Sequence, residues 1–201
     1  VRDWRNDDRQ TLPGWFGKLP GIGDFAHRRL PASFRQEWDG WLHDGLSGLR
    51  ARHADDWTAH FLESPLWYFA LGPDTVDATA WIGVLMPSVD SVGRYFPLTL
   101  ACPFAAGMDS AVWWGCAARV VLDALDDDLD AERFEVLLTQ RFDKMDAAGE
   151  DAPPSARQSS WRAEREDGTA LRLVHAGLPQ GTCFDALFGF AQDAQLLELP
   201  S

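Results

Sequence analysis

Two runs in this chain, Leu66–Leu71 and Ala80–Met86, are apolar at every position. A strand with one wet face alternates apolar and polar residues, so strands apolar on both faces belong inside a sheet that is covered on two sides. A third run, Leu98–Cys102, is bracketed by Pro97 and Pro103. The links between the three are short and carry no helical period. Parallel neighbours need a crossover of about a dozen residues or more, so these strands are predicted to be antiparallel.

Helical patterns flank this centre. Ser33 and Gln36 have capping-box spacing, and Phe34, Trp38, Trp41, Leu42, Gly45 and Leu49 recur at helical intervals behind them. A short helix is predicted around Asp55–Leu62. Asp109 is placed to cap a helix with Val112, Trp113, Cys116, Val120 and Ala124 inside, and Asp130 a further one with Phe134, Leu137, Leu138 and Phe142 inside. Near the start, Trp15, Phe16 and Leu19 form a short strand that Pro20 ends, followed by a turn-rich loop at Gly21, Gly23 and Asp24. Residues 149–160, with Pro153 and Pro154, read as an exposed linker. A hairpin follows over Trp161–Val174. A two-residue turn would set Arg162 and Glu164 opposite Leu173 and Leu171. A three-residue Glu166-Asp167-Gly168 loop sets Trp161 and Ala163 there and keeps one face apolar, so it is favoured, with Gly168 left-handed. Phe184, Leu187, Phe188 and Phe190 suggest a last short helix before a loose end.

The implied fold is a three-layer α/β/α sandwich with a central mixed, mainly antiparallel sheet. Residues 1–12 read as a loose leader and 13–201 as a single α/β domain, with a motif-bearing core at 13–104 and a helical and hairpin region at 105–201.

Composition narrows the function. The formal charge is -13, which disfavours nucleic acid and anionic membrane, because affinity for phosphate backbones comes largely from Lys and Arg. The acid concentrates between Asp123 and Glu135, and reads as a solvated helix end or an acidic docking face. Cys102, Cys116 and Cys183 are odd in number and widely spaced, which suits core residues of a reducing compartment. The longest apolar run, Ala80–Pro87, is far short of the roughly 20 residues of a membrane helix, and no signal-peptide pattern opens the chain. A soluble cytoplasmic protein is expected. The opening Val fits a missing first residue or an alternative start codon.

Motifs for chemistry do not emerge. Gly14–Gly23 lacks the spacing of a P-loop or dinucleotide fingerprint, and Lys18 is not followed by Ser or Thr. The five His have no zinc-ligand spacing, and Ser88 sits in no nucleophile elbow. His27, Asp24, Ser88 and Asp90 could meet as a triad-like group, though nothing in the spacing demands it. Asp24, Asp90 and Ser91 suit turn formation or partner recognition. Arg94, between Gly93 and Tyr95, needs an acid if buried, either Asp24 or Asp90. It is a fold-bracing residue, or else part of an anion- or partner-binding corner with Arg28 and Arg29. The candidate partner-binding or loop-bracing residues are therefore Lys18, Asp24, Arg28, Arg29, Ser88, Asp90 and Arg94. No residue stands out as catalytic, cofactor-binding or metal-ligating.

Gly14-Trp-Phe-Gly-Lys-Leu-Pro20, Gly23-Asp24-Phe25, Arg29-Leu30-Pro31, Trp38-Asp39-x-Trp41-Leu42, Pro65-x-Trp67-x-Phe69 and Gly83-Val-Leu-Met-Pro-Ser88-Val-Asp90-x-Val-Gly-Arg94-x-Phe96-Pro-Leu98 resemble the TagF (also ImpM) family over residues 13–104. The resemblance implies a non-enzymatic, cytoplasmic accessory protein of a bacterial type VI secretion system. It would repress assembly or firing post-translationally by binding the Fha scaffold protein, which bears a forkhead-associated domain. No cofactor, no nucleic-acid partner and no membrane insertion are expected, and the chain is expected to be a monomer or weak homodimer. Some relatives carry a fused protein-phosphatase domain, for which this chain is expected to have no room. The alternatives are a small hydrolase or phosphate-handling enzyme using Asp24, Asp90 and Arg94, or a structural subunit of the apparatus.

Overall fold

The consecutive apolar runs become three neighbouring strands, β3 (Trp67–Leu71), β4 (Trp81–Met86) and β5 (Leu98–Pro103). The computed structural model describes residues 12–165, 167–190 and 197–199. Most of the predicted leader and Glu166 of the hairpin loop lie outside the described residues. Before the central strands come β1 (Gly14–Lys18), β2 (Phe25–Arg28), α1 (Ala32–Arg52) and α2 (Trp57–Glu63). After them come α3 (Ser110–Asp126), α4 (Ala131–Phe142), β6 (Gln158–Glu164), β7 (Ala170–Ala176), α5 (Thr182–Leu187) and β8 (Leu197–Leu199).

The strands form one sheet in the order β2-β1-β5-β4-β3-β6-β7-β8. Every neighbouring pair is antiparallel, so the sheet is not mixed as expected. The short links leave no room for a parallel crossover between β3, β4 and β5.

Register decides which side each residue faces. Phe69 lies opposite Gly83, and Gly83 opposite Ala101. Trp67, Phe69, Leu71, Trp81 and Leu85 pack toward α1, α2 and α5, whereas Ile82, Val84, Met86, Leu98 and Leu100 pack toward α3 and α4. The result is the predicted three layers. Trp38 centres the first core. Its ring contacts Phe34, Trp41 and Phe69 at centroid separations of 5.2, 4.7 and 4.9 Å, and its Nε1 donates to Thr99 Oγ1 at 2.8 Å. In the second core Trp15 meets Phe134 edge-on at 5.3 Å. Trp15, Trp38, Trp67, Trp113 and Trp161, half of the chain's 10 Trp, are all fully buried and belong to the core.

The hairpin has the favoured register: Trp161 faces Leu173, Ala163 faces Leu171, and Gly168 is left-handed at φ 83°. Asp109 and Asp130 cap α3 and α4, accepting from Val112 and Arg133 backbone N–H groups.

Four local expectations fail. The Ser33–Gln36 capping box does not form. The chain enters α1 from Pro31, which puts Ser33 inside the first turn, and its hydroxyl donates to Asp77 at 2.9 Å instead. Strand β2 went unpredicted because FAHR is mostly exposed and shows no alternation; it exists by pairing with β1. The end of the expected linker is strand, with Ser159 buried and its hydroxyl donating to the Gly177 carbonyl. Of the expected loose end, residues 197–199 add β8 to the edge of β7, and the remainder lies outside the described residues.

Candidate functional site

Beyond β4, residues 88–96 fold back on themselves at the β1 end of the sheet. Phe96 N donates to Ser88 O at 3.0 Å, and Asp90 N to Arg94 O at 3.1 Å. Gly93 closes the turn at φ 80°, its N–H reaching Asp90 O at 2.9 Å.

Asp90 is the hub. Its carboxylate is buried, with Oδ1 accepting from the backbone N–H of Val92 at 3.1 Å and of Arg94 at 2.9 Å. Oδ2 accepts from Arg94 Nε at 2.8 Å and from Lys18 Nζ in a close ion pair. Lys18 is the last residue of β1 and is itself buried, its ammonium 4.4 Å from the centre of the Phe25 ring. Ser88 Oγ donates to the Lys18 carbonyl at 2.9 Å, and the far end of Arg94 donates to the Gly23 carbonyl. One aspartate thus fastens three segments: the end of β1, the turn before β2 and the loop after β4.

Burial alone raises the Asp90 pKa. The Lys18 ammonium, the Arg94 guanidinium and the two backbone N–H groups outweigh it and hold the carboxyl well below the usual range. A buried charge is tolerated where it is paired and hydrogen-bonded, and here all the acceptor directions are used.

The structure separates the other sequence candidates from this hub. Asp24 is exposed and accepts from the following Phe25 N–H at 2.8 Å, so the partner of Arg94 is Asp90 and not Asp24. Arg28 lies opposite Trp15 in the β1–β2 ladder, on the face toward α4. Arg29, at φ 59°, forms a two-pronged ion pair with Glu135 of α4 at 2.6 and 3.0 Å and donates to Pro13 O. Glu135 also accepts from Trp15 Nε1; burial opposes its ionisation, but the Arg29 and Trp15 bonds prevail and lower its pKa. Arg28 and Arg29 therefore do not form a basic corner with Arg94. Side-chain alternation along β2 puts Arg28 on the Trp15 face, away from Lys18, and the left-handed residue Arg29 braces the end of β2 against α4. Glu135 was missed because its partner is 106 residues away.

A groove of about 640 Å³ opens beside the hub, between α1 and the loop. Phe16, Phe25, Trp57, Tyr95 and Phe96 form its apolar walls. Lys18, Arg94 and Arg50 reach it from the polar side. Its residues come from β1, β2, α1, α2 and the loop, so no single stretch of sequence could have revealed it. Among the described residues no three His, Cys, Asp or Glu gather as metal ligands, and no helix is long and apolar enough to cross a membrane.

Residues 14–140 match the family model of the TagF N-terminal domain, type VI secretion system-associated. The matched span reaches through most of α4, past the motif-bearing residues 13–104. The crystal structure of PA0076 from Pseudomonas aeruginosa PAO1 is similar, with a TM-score of 0.75 and 28% identity over 94% of this chain and 99% of that one. No curated protein matches the chain.

Proposed function

Because the chain belongs to the TagF family of type VI secretion system-associated proteins, we propose that it is a cytoplasmic, non-enzymatic regulator. It represses assembly or firing of the apparatus post-translationally by binding the Fha scaffold protein. Residues 13–201 act as one unit, as a monomer or weak homodimer.

The observation that carries this reading is the saturation of Asp90. A carboxylate working as base or nucleophile needs a lone pair directed at substrate; the oxygens of Asp90 are occupied by Lys18, Arg94 and two backbone N–H groups. Such a hub favours a rigid loop that is presented to a partner. The groups presented beside it are the outer part of Arg94, Val92 and Phe25, all exposed. Arg and aromatic residues are common anchors at protein interfaces.

The test is co-purification from native cells with identification of the bound proteins. The expected result is recovery of the Fha scaffold without the assembled apparatus. Recovery of the whole apparatus in fixed proportion would assign a structural subunit instead, and recovery of no secretion component would refute the regulator reading.

A further inference from the structure

The groove combines features that point to the chemistry of its occupant. Phe25 is 48% exposed at its rim, an unusual position for a large apolar side chain, and is held edge-on to Phe96 at 4.7 Å. Trp57 forms the far wall against Tyr95 at 5.5 Å. Two guanidinium groups line the groove beside these rings. Arg50 lies over the Trp57 ring at 4.4 Å and donates to Tyr95 O at 3.4 Å, with no carboxylate partner among the described residues. Arg94 is anchored on one side by Asp90, and its side chain remains 53% exposed.

The local charge runs against that of the chain. Asp90 neutralises Lys18 at the base of the groove. Arg50 and Arg94 then face one lining carboxylate, Asp39, with His43 also in the wall. This is a surplus of positive charge on a protein whose formal charge is -13. Nucleic acid and anionic lipid would meet the overall negative field. A short peptide segment can place two carboxylates at the arginines and carry little charge elsewhere. The volume falls within the roughly 300–1,000 Å³ of ordinary binding pockets.

We infer that this groove binds an acidic segment of a partner protein through one large apolar side chain seated between Phe25 and Trp57, with flanking carboxylates on Arg50 and Arg94. The inference rests on the reading of the chain as a protein-binding regulator and supplies the chemistry of the docked segment.

Fluorescence anisotropy of the purified full chain with a labelled decapeptide, uncharged except for one Glu on each side of a central Phe, tests it. The Glu/Phe peptide binds. The same peptide with Lys for Glu does not. Arg50→Gln and Phe25→Ala, both at exposed positions, each weaken binding about tenfold or more while both variants stay folded, Arg50→Gln with a melting temperature near that of the wild type. Absence of Glu/Phe binding, equal binding of the Lys peptide, or wild-type affinity in both variants overturns the inference. If the peptide behaves as expected but purified Fha scaffold does not bind, the groove chemistry stands and the scaffold assignment falls. If the scaffold binds wild type and both variants equally and the peptide does not bind, the scaffold assignment stands and the groove inference falls.

Discussion

Replacing Asp90 by alanine lowers the melting temperature by about 10 °C or more, because removing one member of a buried ion pair leaves the other charge uncompensated. The side chain of Lys18 is 3% exposed and has no water to turn to. The N–H groups of Val92 and Arg94 also lose their acceptor. Removing the stranded charge with Lys18→Met in the same background restores part of the loss. Asp24→Ala, at an exposed turn, shifts the melting temperature by no more than about 1–2 °C. The pH dependence has a definite sign. The folded-state pKa of Asp90 lies below its ordinary value of 3.8. Its contribution is therefore complete above that value and fades as pH falls through the lower folded value. With the stranded charge removed in both backgrounds by Lys18→Met, the stability that Asp90 contributes through Arg94 and the two N–H groups stays constant from neutrality to about pH 4 and fades only in stronger acid. Thermal melts across this range check both statements, and equal melting temperatures at pH 7 would remove Asp90 as the hub.

Gly17→Ala produces a second large effect. Gly17 sits in β1 at φ 131°, a conformation that L side chains rarely adopt, and an added Cβ would press inside van der Waals contact of the Pro97 carbonyl oxygen. The obstacle is backbone and cannot rotate away. Relief requires β1 to separate from the start of β5, and Lys18 moves with it. Backbone strain and overpacking together cost about 3 kcal/mol or more. In urea the unfolding midpoint falls accordingly, with loss of the groove beside Lys18. An unchanged midpoint and slope would show that the strand is not tied to Pro97 in this way.

These two positions also show what the sequence could and could not convey. The central, antiparallel place of β3, β4 and β5 was readable from their apolar runs and short links, and the hairpin register because Trp161 and Ala163 must share a face with Leu171 and Leu173. Strand β2 carries no such pattern, since its place comes from hydrogen bonds to β1. The grouping of Lys18, Ser88, Asp90 and Arg94 was foreshadowed by their motifs, but motifs do not state partners. Lys18 and Asp90 are 72 residues apart and meet because β1 inserts beside β5. Asp24 and Arg29 stand in the same motifs, yet one is exposed at a turn and the other is tied to Glu135. The direction in which a strand edge turns a side chain is a property of the assembled sheet.

The central claim is that Asp90 holds the 88–96 loop rigid so that Arg94 can be offered to a protein partner. Isothermal titration of purified Fha scaffold with the full chain and with its Arg94→Ala variant tests it most directly. The account predicts that the wild type binds and that the variant binds about tenfold or more weakly, with a melting temperature only a few degrees lower. Equal affinity in a folded variant, or no binding by the wild type, would contradict it.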